Sequence, residues 1–255
     1  MQLFYAPDIA SNPLLPETEA HHCLKVLRMQ AGEKIRITDG KGFFYLAEIA
    51  ENKCQGVAGQ ARNDKAFQTR NDKAINHCKV NILETIPQPS LWKGTIEIAL
   101  APTKNTDRIE WFAEKATEIG IDKISFLHCR FSERKDLPLE RIRKIMISAM
   151  KQSEKAKLPC LQAMTDFKKF VSQDINGQKF IAHCYPDNKP NLINVCRKNE
   201  NTLILIGPEG DFSEEEISLS KEKGFIPVSL GESRLRTETA ALVACQAVHF
   251  INCEL

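Results

Sequence analysis

The chain has 255 residues, 42 % of them hydrophobic and 27 % charged, with a formal net charge of +2. This is an ordinary globular composition, long enough for one large domain or two smaller ones. No run approaches the roughly 18 apolar residues of a membrane span, and Met1-Gln2-Leu3-Phe4-Tyr5-Ala6-Pro7 has no basic region leading into an apolar stretch, so a cytoplasmic protein without membrane contact is expected.

The first ninety residues read as β-rich. Short extended runs lie at Lys34–Thr38, Phe43–Ile49 and Lys79–Leu83, and Asp39-Gly40-Lys41-Gly42 between the first two is a hairpin signal. A polar tract carries Arg62-Asn63-Asp64-Lys65-Ala66 and again Arg70-Asn71-Asp72-Lys73-Ala74. Two copies of eight residues cannot build a solenoid, so the tract, about residues 60–76, reads as an inserted loop. Pro87-Gln88-Pro89-Ser90 then punctuates the chain, which predicts one domain over 1–88 and a second over 94–255.

Beyond that point strands and helices alternate, as in an α/β domain with a parallel sheet. Thr95–Leu100 reads as a strand, and Ile109, Phe112, Ala113, Ala116 and Ile119 form a helical stripe ended by Gly120. A second strand follows at Lys123–Leu127 and a third at Lys179–His183. Between them, from Arg130 to Lys157, nine Lys/Arg face four Asp/Glu. On a helix from about Leu139, Arg141, Lys144, Ser148, Lys151 and Lys155 recur at spacings of three and four, which predicts four cations on one face and Ile142, Ile145, Met146, Ala149 and Ser153 on the next. One-sided positive charge suits a surface that tracks phosphates.

Two glycine loops come next. Leu203-Ile204-Leu205-Ile206 closes on Gly207-Pro208-Glu209-Gly210, and Ile226-Pro227-Val228-Ser229 closes on Leu230-Gly231-Glu232-Ser233-Arg234-Leu235-Arg236-Thr237-Glu238-Thr239-Ala240. Ligands of open α/β sheets bind outside the carboxyl ends of the strands, where glycine lets them approach the backbone. Neither loop is a phosphate cradle, because the chain contains no Gly-x-Gly-x-x-Gly and no Gly-x-x-x-x-Gly-Lys-Ser/Thr. After the first loop Ser213-Glu214-Glu215-Glu216 predicts a capping box. In the second, Thr237 or Thr239 is expected to cap a final helix, Glu238 to about Ile251, whose apolar residues fall on nearly all faces. Nine scattered cysteines, four of them directly after a histidine, include no Cys-x-x-Cys pair; neither a disulfide framework nor a metal site is expected.

These residues resemble the RsmE family of SPOUT-class methyltransferases. The likeness rests on Gly207-Pro208-Glu209-Gly210 with Phe212-Ser213 and Glu216, and on Leu230-Gly231 with Leu235-Arg236-Thr237-Glu238-Thr239-Ala240. Lys104, Arg108, Glu110 and Lys115-Ala116-Thr117-Glu118-Ile119-Gly120 are similar to the family's first helix, Gln152-Ser153 with Pro159 to its basic helix, and His22, Val26-Leu27-Arg28, Gly32 and Asp39-Gly40 to its RNA-binding barrel. The resemblance implies a small PUA-like β-barrel followed by an α/β domain, a SPOUT-type trefoil-knotted parallel sheet with helices on both faces. It implies a homodimer through the C-terminal helix, S-adenosylmethionine as donor, and methylation of uridine N3 in 16S ribosomal RNA within the small ribosomal subunit.

By the same likeness, Leu205, Gly207, Glu209, Gly210, Leu230, Gly231, Leu235, Thr239 and Ala240 hold the cofactor. Arg236 is the candidate for stabilising the uracil anion, because a permanently charged fork offsets developing negative charge. Glu238 is the nearest carboxylate in the motif and either accepts the proton or caps the helix. Arg28, Lys41, Arg134, Lys135 and Lys155 are the candidate RNA contacts. Where many members have Gln-Ser-Gly-Arg, this chain has Gln152-Ser153-Glu154-Lys155-Ala156-Lys157. A ribose 2′-O-methyltransferase and a non-catalytic RNA-binding dimer stay open as alternatives at this point.

Overall fold

The computed structural model describes residues 1–53 and 77–253. The repeat Arg62–Ala74 lies outside the described residues. Contacts divide the chain into two compact units, Met1–Gln88 with Glu154–Lys157, and Pro89–Ser153 with Leu158–Leu255.

In the first unit, β1 (Leu3–Tyr5), β2 (Lys34–Thr38), β3 (Phe43–Lys53) and β4 (His77–Pro87) form a sheet in that order, with β1 parallel to β2 and the other pairs antiparallel. Helix α1 (Glu17–His21) runs into a π-helical turn, His22–Val26. Ile35 and Ile37 of β2, Ala47 and Ile49 of β3 and Phe4 of β1 alternate inward onto Leu15, Ala20 and Cys23. The β2–β3 hairpin forms because Gly40 and Gly42 take φ of +74° and +107°, while Asp39 Oδ1 accepts from the amides of Lys41 and Phe43.

A distant segment completes this unit. Ala156 is fully buried with Leu3 and Phe44; its carbonyl accepts from Gly42 N and Thr38 Oγ1, and its amide donates to Gln88 Oε1. Glu154, standing where the family pattern has glycine, has φ +54° and pairs with Arg36 at 2.9 Å. A left-handed non-glycine residue costs on the order of 1 kcal/mol, which the contact with Arg36 partly offsets.

The second unit is a six-stranded sheet, all of whose pairs are parallel, in the order β10-β8-β9-β5-β6-β7. Its elements run β5 (Ile96–Leu100), α2 (Thr106–Ile119), β6 (Lys123–His128), α3 (Leu139–Gln152), β7 (Cys160–Asp166), α4 (Phe167–Val171), β8 (Gln178–Ala182), α5 (Leu192–Val195), β9 (Thr202–Ile206), α6 (Glu214–Glu222), β10 (Ile226–Val228) and α7 (Thr237–Asn252). Every residue of β9 is buried, as a central parallel strand requires. Ile96, Ile98 and Leu100 of β5 face a core with Phe112 of α2, Met146 of α3 and Ala244 of α7, while Ala99 and Ala101 face the opposite one with Phe167 of α4 and Ile217 of α6. Helices therefore cover both faces, as expected.

Two sequence readings change. Helix α3 ends at Gln152, so Lys155 leaves the cationic stripe and belongs to the first unit, and Arg141 is paired with Glu110 at 2.9 Å. The predicted face of four cations is thus reduced, because a helix stop and an ion pair intervene. The final helix buries Ala241, Ala244, Cys245 and Val248, but leaves Val243 37 % and Phe250 61 % exposed. Strand β7 carries no clear sequence signal, because its exposed and half-buried residues lack a strong alternating pattern.

Candidate active site

The loops that follow β8, β9 and β10 are tied together by side chains. Thr237 Oγ1, in the first turn of α7, donates to the carbonyl of Gly207 at 3.1 Å, joining the two glycine loops directly. Asp211 Oδ2 accepts from the amide of Cys184 at 2.7 Å, joining the β9 loop to the end of β8. Glu209 Oε1 accepts from Lys104 N at 3.0 Å and so anchors the β5–α2 loop. The capping box forms as predicted, with Ser213 and Glu216 exchanging bonds, and Glu216 Oε1 also accepts from Arg130 N. The expected threonine cap does not form: Arg236 occupies the N-cap of α7 with no side-chain cap bond, because Thr237 is committed to Gly207.

These loops enclose a cavity of about 760 Å³, within the range of roughly 300–1,000 Å³ usual for small-molecule sites. Of the predicted cofactor residues, Gly207, Glu209, Leu230, Gly231, Leu235 and Ala240 line it, together with both catalytic candidates, Arg236 and Glu238. The structure does not bring Leu205, Gly210 and Thr239 into that lining. Leu205 is fully buried in the core beneath, since inward positions alternate along β9, and Gly210 packs on Phe131, whose Cβ would lie 3.1 Å from an added Cβ.

The glycines answer to different demands. A Cβ on Gly207 would sit 3.2 Å from the Asp211 backbone and from Phe212, a tight contact that a neighbour would have to relieve by a few tenths of an ångström. Gly231 has φ +132° with nothing within 4 Å of an added Cβ, so its backbone is open toward the cavity. Ala182, Ile206 and Val228 give apolar walls, and loop amides and carbonyls give polar edges. A nucleoside fits such a surface: its flat base against aliphatic walls, its edges to the backbone.

The end of β8 adds residues the sequence reading did not identify. His183, Cys184 and Lys189 line the cavity, as does Arg108 from α2. The place of His183, Cys184 and Lys189 follows from β8 lying between β9 and β10, a strand order that no local pattern encodes. Burial and the neighbouring Lys189 hold the His183 imidazole below its ordinary pKa, so it is neutral at neutral pH. Lys189 Nζ donates to Tyr185 O and pairs with Asp187 Oδ1 at 2.7 Å, which keeps the Asp187 carboxyl below its usual range. Glu238 is buried in the cavity wall, Arg108 Nε lies 3.7 Å from its Oε1, and its Oε2 has no hydrogen-bond partner.

The RNA candidates fall in both units: Arg28, Lys41 and Lys155 in the first, Arg134 and Lys135 in the second. Lys41 Nζ donates to Pro7 O, and the Arg134 guanidinium forks onto the carbonyl of Lys104, so these two cations also hold loops in place. Arg28 and Lys135 are exposed. Among the described residues no group of His, Cys, Asp and Glu converges on a metal-sized site, and no helix is long and apolar enough to cross a membrane.

Residues 90–249 match the RNA methyltransferase domain family and residues 15–56 the RNA methyltransferase PUA domain. A probable rRNA-methyltransferase from Porphyromonas gingivalis is 40 % identical, with 99 % of this chain and 98 % of that one covered and a TM-score of 0.86. The chain belongs to the RsmE family of RNA methyltransferases. Ribosomal RNA small subunit methyltransferase E of Rickettsia conorii is 27 % identical to this enzyme over 94 % of the chain and 91 % of the relative. A putative methyltransferase from Legionella pneumophila, solved in complex with the bound cofactor SAM, is 25 % identical to the enzyme, covers 99 % of it over 98 % of its own length, and superposes with a TM-score of 0.79. In this RNA methyltransferase the matched domain contains every loop of the cavity.

Proposed function

We propose that the protein methylates N3 of a uridine in the 16S RNA of the small ribosomal subunit, with S-adenosylmethionine as the donor. The observation that carries this reading is the single cavity in which the two glycine loops, joined by Thr237 to Gly207, meet Arg236 and Glu238. Gly207, Leu230, Gly231, Leu235 and Ala240 hold the nucleoside part of the donor through backbone and aliphatic contact. When bound, the donor supplies a methyl group activated by a sulfonium.

The uridine nitrogen has to lose its proton before it becomes a nucleophile. Arg236, exposed at the cavity edge, offsets the negative charge that this leaves on the uracil carbonyl oxygens. Glu238 is the nearby carboxylate that accepts the proton. Residues 1–88 act as a PUA-like β-barrel that binds RNA, and residues 94–255 as the methyltransferase domain; Arg28, Lys41, Arg134, Lys135 and Lys155 contribute phosphate contacts, and the enzyme works in the cytoplasm. The return of α7 from edge strand β10 to the sheet centre, where it packs on β5 and α2, supports a trefoil-knotted connection. The exposed Val243 and Phe250 of α7 support a homodimer that covers them.

The reading is tested by methyl transfer from labelled donor to small subunits that lack the modification, with mass mapping of the product nucleotide. Label on the uracil base is expected. Label on ribose makes the protein a 2′-O-methyltransferase, and no label at all leaves only an RNA-binding role. A second expectation concerns Cys184, which is exposed and lines the cavity. Partial desolvation and Asp211 push its thiol above the ordinary value, so alkylation is slow at neutral pH and quickens as the pH rises past that value. Saturating donor should protect Cys184 in peptide mapping; equal labelling with and without donor would place the donor elsewhere.

A further inference from the structure

Helices α2 and α7 pack against each other, and both begin at the cavity. Arg108 sits in the first turn of α2 and Glu238 in the first turn of α7. A carboxylate that only complemented the α7 dipole would serve as well in solvent. Glu238 is instead 6 % exposed, and its two oxygens differ. Oε1 has the Arg108 guanidinium at 3.7 Å, whereas Oε2 is buried without a hydrogen-bond partner. Leaving a buried acceptor unpaired costs about 1–3 kcal/mol, and because this one faces the cavity, a donor carried in by a ligand can complete it.

Within the proposed uridine reaction, on which this rests, we infer that Arg108 is a positioning residue and that the donor completing Glu238 is the N3–H of the target uracil. The Arg108 charge beside Oε1 biases the orientation of the carboxylate and thereby aims Oε2. The N3–H bond breaks, its electron pair stays on N3, and the proton forms an O–H bond on Oε2. The electron pair on N3 then forms the N–CH3 bond as the S–CH3 bond of the donor breaks with its electron pair passing to sulfur, which leaves as a neutral thioether, and the carboxyl returns its proton to solvent after product leaves. The alternative donor, an amine of the methyl-carrying cofactor, predicts a different set of effects.

The test compares Arg108→Gln, Arg108→Lys and Glu238→Gln on small subunits lacking the modification, together with calorimetric affinity for S-adenosylmethionine in the absence of RNA. Glu238→Gln should lower kcat by about 100-fold or more, and Arg108→Gln by about 10- to 100-fold, the scale of a misaimed group. In both, the KM for RNA and the affinity for donor should stay within about threefold of wild type, and Arg108→Lys should recover part of the lost kcat because it restores a cation beside Oε1. A normal kcat in Arg108→Gln overturns the inference, and so does loss of donor affinity in Glu238→Gln, which would make the cofactor the missing partner. Equal damage in the Lys and Gln variants with weakened donor binding would reduce Arg108 to a structural contact. If the wild-type enzyme placed no methyl on a uracil base, the proposed reaction itself would fail, a result separate from all of these.

Discussion

Arg236→Ala is expected to lower kcat for methyl transfer to RNA by roughly 100- to 1,000-fold, the usual effect of removing one preorganised stabiliser of transition-state charge. The residue is well placed to isolate that effect. It caps α7 through its backbone alone, with the Ala240 amide donating to its carbonyl at 2.7 Å and no side-chain cap bond, so alanine leaves the helix start intact. Its side chain is exposed at the cavity, so truncation opens no hole in the core. Donor affinity, measured by calorimetry, should therefore stay near wild type while single-turnover methylation falls. Arg236→Lys should land between the two, keeping the charge but losing the planar fork. A wild-type rate in Arg236→Ala would remove this residue from the chemistry.

Gly177→Ala is expected to destabilise the methyltransferase unit by about 3 kcal/mol, read as a fall of roughly 6–12 °C in melting temperature. Gly177 has φ +122°, which side-chain-bearing residues rarely adopt, and an added Cβ would lie 2.3 Å from the backbone oxygen of Asn201. That neighbour is fixed: Asn201 O accepts from the amide of Gln178, the first residue of β8. Relief of the clash has to move β8 away from β9, and the carboxyl end of β8 carries His183 and Cys184 into the cavity. Donor affinity should fall together with stability. An unchanged melting temperature would show that the turn relaxes without displacing the strand.

Much of the architecture was legible in local pattern. The strand runs, the Asp39–Gly42 hairpin, the Gly120 stop and the Ser213–Glu216 capping box all depend on interactions within a few residues, and the corresponding elements are present. Readings that depended on distant partners fared differently. The cap expected from Thr237 or Thr239 does not form, Thr237 bonding instead to Gly207, thirty residues away, and Arg141, expected on a free cationic face, pairs with Glu110.

The sequence alone determined the composition of the two glycine loops, the parallel α/β character of the larger unit, and the residue types that carry the family likeness. Those follow from glycine stereochemistry, hydrophobic period and spacing, all of which are local. Long-range packing sets β8 between β9 and β10, brings His183, Cys184 and Arg108 to the cavity with the loops, and keeps Leu205, Gly210 and Thr239 outside its lining. The same packing sets Arg108 beside one oxygen of Glu238 and leaves the other without a hydrogen-bond partner. Strand order and helix packing are settled by long-range burial, which one stretch of chain does not encode by itself.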